Sequence, residues 1–198
     1  MRYPRALVAA SCLALGFPRS VHGQIAHPLQ FVLGGGASFL VGDDRKFYHD
    51  GYNVQAGFSM ATPNPQLSVD ATVFYHGFKG KGVSDQVVAG APDTLRLGDF
   101  SVLAGTIGAR WRLTDAARSA SRLVPYLAFG GGVYRIESEA QLYGQHVSGA
   151  DTRAGITTGL GLSFPLGAST GFVEARVHKV FVSGGSSNLY PLTFGVRF

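Results

Sequence analysis

From residue 29 onward, apolar and polar residues alternate with a period of two, the signature of strands with two different faces. In a first run over 29–41, Leu29, Phe31, Leu33, Ala37, Phe39 and Val41 share one face. A second run, 51–60, sets Tyr52, Val54, Ala56, Phe58 and Met60 against Asn53, Gln55, Gly57 and Ser59. A third, 66–78, sets Leu67, Val69, Ala71, Val73 and Tyr75 against Ser68, Asp70, Thr72 and His76. A fourth, 97–113, sets Leu103, Ile107, Ala109, Trp111 and Leu113 against Thr106, Gly108, Arg110 and Arg112.

The fifth run, 122–137, is irregular at its centre, Tyr126 to Tyr134, and its facing stays open. The sixth, 152–164, sets Ala154, Ile156, Thr158, Leu160, Leu162 and Phe164 against Arg153, Gly155, Thr157, Gly159, Gly161 and Ser163. The seventh, 170–182, sets Val173, Ala175, Val177 and Phe181 against Glu174, Arg176 and His178. The eighth, 189–198, alternates through Tyr190, Leu192, Phe194, Val196 and Phe198.

The connections alternate as well. Short links are expected at 61–65, 114–121 and 165–167, and longer or more polar ones at 42–50, 79–96 and 138–151, with a Gly/Ser-rich turn at 183–188. Short turns at one rim and longer loops at the other predict an all-β, eight-stranded, antiparallel up-and-down barrel. Helical periodicity is weak; the best candidate is Thr114–Ala120.

One face carries large apolar residues, and the other carries glycines, hydroxyls and charges. Eight closed strands leave an interior just wide enough for side chains. The small and polar face therefore belongs inside and the large apolar face outside, in lipid. Closure also satisfies the backbone without a free edge. Aromatics fall near strand ends: Phe31, Trp111 and Phe164 at the short-turn rim, and Phe39, Tyr52, Tyr75, Phe181 and Tyr190 toward the loops. Such placement fits two interfacial girdles.

Composition sharpens this picture. The 198 residues are 45% hydrophobic but only 15% charged, with 28 glycines, and soluble domains average roughly 25% charged. No run reaches the ~20 apolar residues of a membrane helix. The formal charge of +5 is misleading. Arg2 and Arg5 precede an apolar stretch from Ala6 to Phe17, the order of a secretory signal. Val21-His22-Gly23 places tolerated residues before a cut, so residues 1–23 read as signal peptide, cleaved between Gly23 and Gln24. The mature domain is then 24–198. Without Arg2, Arg5 and Arg19, 14 basic and 12 acidic side chains remain. No clustered basic face is visible, so no nucleic-acid partner is expected. Cys12 is the only cysteine and would leave with the signal.

The last strand, Tyr190-Pro-Leu-Thr-Phe-Gly-Val-Arg-Phe198, resembles the recognition strand by which bacterial outer-membrane proteins engage the barrel-assembly machinery. With the signal peptide, the chain resembles the small eight-stranded outer-membrane barrels of the OmpA/OmpX type over residues 29–198. That resemblance implies an outer-membrane address, both mature termini in the periplasm, contact with outer-membrane lipid and lipopolysaccharide, a monomer, and no cofactor.

The inward polar set is Asp70, His76, Arg110, Arg153, Glu174, Arg176, His178 and Arg197. Asp70 is expected beside Arg110, and Glu174 beside Arg197. Their expected role is a paired lumen plug, because an unpaired buried charge is costly. The function expected is structural, adhesive or surface-interacting, and not enzymatic. One alternative is a lipid A deacylase, in which a His activates a nearby Ser. His178 lies near Ser183, Ser186 and Ser187, but Val180 occupies the close His-x-Ser position. A narrow pore is a further alternative. Gly34–Gly36 and Gly130–Gly132 lack the lysine and helix of a phosphate loop. His49 and His146 lack metal-ligand spacing.

Overall fold

The computed structural model describes residues 29–41, 44–81, 96–114, 123–142, 145–182 and 185–198. The expected signal peptide, its expected cleavage site at Gly23 and Gln24, Cys12 and most of the candidate helix at 114–120 lie outside these residues. Eight strands form: β1 (Leu29–Leu40), β2 (Gly51–Ala61), β3 (Leu67–Phe78), β4 (Arg96–Arg112), β5 (Val124–Leu142), β6 (Gln145–Leu166), β7 (Ser169–Val182) and β8 (Gly185–Arg197). One short helix, α1 (Asp44–Phe47), interrupts the first loop.

Each strand pairs antiparallel with its neighbour in sequence, and β8 closes on β1 to complete the barrel. The seam runs from Val32↔Arg197 to Leu40↔Leu189. It is continued by reciprocal backbone bonds between Phe31 and Phe198, at 2.8 and 3.0 Å. The β6–β7 hairpin turns through Gly167, whose φ of 62° is the left-handed conformation that glycine adopts without a Cβ penalty.

The exterior is the apolar face. Ile107 is 70% exposed, Leu160 62%, Val133 60% and Phe194 56%. A soluble protein seldom exposes so continuous an apolar surface, and a bilayer removes that cost. At the turn rim, Phe31 packs on Phe58 at 4.7 Å and on Phe198 at 6.1 Å, with Trp111 exposed nearby in the register. Near the loop rim, Tyr52 and Tyr75 pair at 6.0 Å. The fifth strand, open in facing from sequence, turns Tyr126, Ala128 and Tyr134 inward and Leu127, Phe129 and Val133 outward.

Two features differ from expectation. The segment 138–151 is not a loop. β5 and β6 pair without interruption from Val124↔Ser163 to Leu142↔Gln145. β4 follows them as far as Arg96↔Gln141, with a register shift between Leu97 and Phe100. These three strands therefore outrun the others as a sheet beyond the loop rim. Residues 148–152 are exposed, and with water on both faces nothing selects an apolar/polar alternation there. β8 also begins at Gly185, inside the expected 183–188 turn.

Candidate functional site

The lumen has two layers. Toward the turn rim lies a charged belt. Arg110 donates through Nη2 to Ser59 Oγ at 2.6 Å, Ser68 Oγ at 3.0 Å and Asp70 Oδ1 at 3.3 Å. Arg176 Nε donates to Glu174 Oε1 at 2.5 Å, and Glu174 is 1% exposed. Arg197 donates to Tyr126 Oη at 3.0 Å and to Ser163 Oγ at 3.1 Å.

The belt holds three arginines and two carboxylates, and aromatic faces manage the excess charge. The Tyr126 ring takes Arg110 at 5.5 Å and Arg197 at 5.1 Å. Phe172 takes Arg197 at 4.1 Å, and Phe74 takes Arg176 at 5.2 Å. A cation over an aromatic face is attracted by the ring quadrupole. Gly161 makes this possible: a Cβ there would overlap the Tyr126 phenol ring.

Toward the loop rim the lumen is apolar. Leu40, Phe74, Phe78, Val102, Ala104, Tyr134, Val180 and Leu189 form one buried cluster. His76 and His178 sit in the same layer, both fully buried, with ring centroids 5.2 Å apart. His76 Nδ1 shares a hydrogen bond with Ser38 Oγ at 2.9 Å, and His178 Nδ1 with Tyr134 Oη at 3.0 Å. Beside them, Asn53 Nδ2 donates to Ala37 O, and Thr193 Oγ1 donates to Asn53 Oδ1, each at 2.8 Å.

The structure thus brings Asp70, Arg110, Glu174, Arg176 and Arg197 into one layer and His76 and His178 into another. One expectation needs correction. Arg153 is not in the buried set. It lies on the β6 extension, 35% exposed, paired with Asp151 at 2.6 Å, because β6 runs past the barrel before β7 pairs with it. Glu174 is bridged by Arg176, two residues along its own strand, and Arg197, which donates to the Tyr126 hydroxyl, stands close enough for its charge to act on Glu174 as well. Sequence parity also missed the large interior residues. Phe74 shares parity with Thr72 and His76, so its inward position was readable; its size argued the other way.

The serine–histidine question has a specific answer. His178 has Tyr134 as its partner, not a serine. Ser186 is exposed at the loop end of β8, and Ser183 lies outside the described residues. Ser38 and His76 do form a hydroxyl–imidazole pair, the arrangement that can activate a nucleophile. Both are fully buried inside the plug, where no lipid reaches them. Among the described residues no group of three or more His, Cys, Asp or Glu side chains converges to hold a metal. A cavity of about 10 Å³ lies between Asp70, Thr72, Thr106, Thr157 and Arg176. That is room for roughly one water molecule, not for a solute.

Neither a protein-family model nor a curated protein matches the chain. Solved structures do. A major outer membrane protein from Thermus thermophilus superposes with a TM-score of 0.61 at 12% identity, covering 87% of this chain and 99% of that one. Neisserial surface protein A gives 0.55 at 16% identity, covering 85% and 94%. Ail, the attachment invasion locus protein of Yersinia pestis, gives 0.50 at 17% identity, covering 86% and 97%. At these identities the likeness is one of fold, and the fold is that of the small eight-stranded outer-membrane β-barrels.

Proposed function

We propose that the chain is an outer-membrane barrel that works by surface contact, with its turn rim and both mature termini in the periplasm and its loop rim outside. The observation that carries this reading is the contrast between a filled lumen and a projecting sheet. Inside, charge pairs and an apolar plug fill the wall-to-wall space, and the cavity between Asp70 and Arg176 has room for about one water. Outside, β6 has no β7 partner until Gly155↔Val180. Among the described residues, its stretch 145–154 therefore pairs on one side only, with β5, and its other edge has no strand partner. Such an edge is a template for pairing with another chain.

Non-enzymatic action is supported by the burial of the Ser38–His76 pair. Insertion through the assembly machinery is supported by Tyr190, Leu192, Phe194, Val196 and Phe198, which follow one another along the outward side of β8. The structural neighbour Ail is named the attachment invasion locus protein of Yersinia pestis, and that name agrees with the contact reading.

The test replaces 138–149 by a two-residue turn. The trimmed protein is expected in the membrane fraction with heat-modifiable gel mobility, as for wild type. Attachment of expressing cells to one another and to protein-coated plastic is expected to fall to the level of cells without the barrel. Unchanged attachment would sink the contact role. Absence of any heat-modifiable form in wild type would sink the membrane placement.

A further inference from the structure

Tyr52 on β2 and Tyr75 on β3 stand beside each other on the outer face, near the loop rim. In the register Tyr52 lies opposite Gly77 and Tyr75 opposite Val54, so the two tyrosines are diagonal neighbours. Diagonal neighbours on one face of a sheet are within reach of aromatic side chains. Gly77 decides which way the reach goes. A Cβ there would fall 2.8 Å from Tyr52 Cε1, 2.9 Å from Cζ and 3.0 Å from Oη. The head of the Tyr52 phenol therefore lies across β3, the strand that carries Tyr75. The ring centroids are 6.0 Å apart with planes inclined at 43°, and the Tyr75 hydroxyl acts on that of Tyr52. The two phenols thus approach through their hydroxyl ends, where each Cζ is flanked by two Cε carbons.

Tyr52 is 55% exposed, and the Asp99 carboxylate is close enough for its charge to act on the phenol. Tyr126 and Tyr134, by contrast, are sealed in the lumen. Two accessible phenols held side by side are the arrangement that one-electron oxidation couples. Each phenol gives up an electron and its hydroxyl proton, for which Asp99 is an acceptor beside Tyr52. The two phenoxyl radicals carry spin density on Oη and on the Cε carbons. One Cε of each ring joins the other in a carbon–carbon bond. The hydrogens those carbons carried then move to the phenoxyl oxygens and restore both hydroxyls. The pair loses two hydrogen atoms overall, and one hydrogen peroxide takes them up as two waters. Holding the rings in contact turns a chance encounter into a step within one molecule. The chain has a single cysteine, Cys12, so no disulfide forms within it, and a tyrosine–tyrosine bond is the covalent staple that remains.

We propose that Tyr52 and Tyr75 form an oxidative cross-linking site, at which hydrogen peroxide acting through a haem peroxidase joins β2 to β3. At the turn end of this hairpin, Thr62 Oγ1 donates to Leu67 O, and Asn64 Oδ1 accepts from Gln66 N, each at 2.9 Å. The new bond fixes the other end, so the hairpin is held at both. Nothing in this chemistry requires the surface-contact role proposed above.

The experiment uses the full barrel folded in phosphatidylcholine vesicles and treated with a haem peroxidase and hydrogen peroxide. Any methionine sulfoxide is then reduced, and cyanogen bromide cuts the unfolded chain after Met60. Met1 and Met60 are the only methionines, so the cut falls between the two tyrosines and leaves two large fragments. From oxidised wild type the fragments are expected to stay joined on a denaturing gel. The joined species should be lighter than its two fragments together by two hydrogen atoms, and should show bityrosine fluorescence. In Tyr52→Phe and in Tyr75→Phe, which keep both rings, the joined fraction is expected to fall about ten-fold or more, a small part of what proximity contributes to bond formation. Heat-modifiable mobility is expected to be unchanged in both. Tyr190→Phe is expected to join as wild type does. Wild type oxidised in urea is expected to come apart, because unfolding separates the rings. Fragments that separate after oxidation of the folded wild type overturn the site. So do fragments that stay joined in either variant, or that join equally in urea.

Discussion

The two layers of the lumen are filled by opposite means. Near the turn rim the wall encloses charges, each arginine tied to carboxylates, hydroxyls or ring faces. Near the loop rim it encloses aliphatic and aromatic side chains, with two histidines among them. Both layers close the same narrow barrel, yet they should fail differently. A charged layer is unforgiving of a lost partner, because the remaining ion stays buried. An apolar layer loses stability in proportion to the space left behind.

The largest test of that difference is Glu174→Gln. It leaves Arg176, whose side chain is only 11% exposed, without its counter-ion. Breaking one side of a buried pair costs about 3–5 kcal/mol. The expected result is a fall of that size in unfolding free energy, read from urea titration of the barrel in vesicles. The double variant Glu174→Leu with Arg176→Met sharpens it. Replacing a buried pair by packed apolar residues is often neutral or stabilising, so the double variant is expected to be more stable than Glu174→Gln alone. If it is less stable, the belt is held by the ion pair itself and not by packing.

The same contrast explains what the sequence could disclose. Period-two alternation located all eight strands, because each has a lipid face that demands large apolar residues. It located the charged layer too, since Asp70, Arg110, Glu174, Arg176 and Arg197 break the apolar run at inward positions. It could not disclose the apolar plug. Val102, Tyr134 and Leu189 look from sequence like any lipid-facing residue, and Phe74, though inward by parity, has the size of one. Nor could it disclose the β4–β6 extension. A sheet wetted on both faces has no reason to alternate, so Ser138 to Asp151 reads as loop. Arg153 was misplaced for a related reason: its parity is inward, but it stands on the part of β6 that β7 does not pair with, and its guanidinium turns to Asp151. The approach of the first loop to the end of β3 was invisible as well, because the two segments meet through the Tyr48↔Gly80 bridge and backbone bonds between residues far apart in sequence.

A smaller effect is expected from Leu40→Ala in the plug. Leu40 is 2% exposed and packs with Phe74, Val102 and Leu189 in the apolar cluster. Leu→Ala in a packed core costs about 2–5 kcal/mol, and the value tracks the cavity that remains. Narrow strand walls can relax little, but water from the loop side can enter, so a loss near roughly 3 kcal/mol is the expected midpoint. A loss under about 1 kcal/mol, below the usual range, would mean the loop-side layer is loosely packed and the two layers are not equal seals.

The smallest effect tests the polar atoms inside the apolar layer. Tyr134→Phe keeps the ring, its burial and its place in the cluster, and removes only the hydroxyl 3.0 Å from His178 Nδ1. His178 Nε2 has no hydrogen-bond partner among the described residues, so the change leaves the imidazole with none there. An unsatisfied buried neutral group costs about 1–3 kcal/mol, and water entering from the loop side would bring the result to the low end. The expected loss is therefore about 1–2 kcal/mol, clearly below that of Glu174→Gln. If Tyr134→Phe instead equals the Glu174 variant, the histidine pair is not filler in an apolar plug. The loop-side layer would then be a second polar network, and the division of the lumen into two kinds of packing would fall.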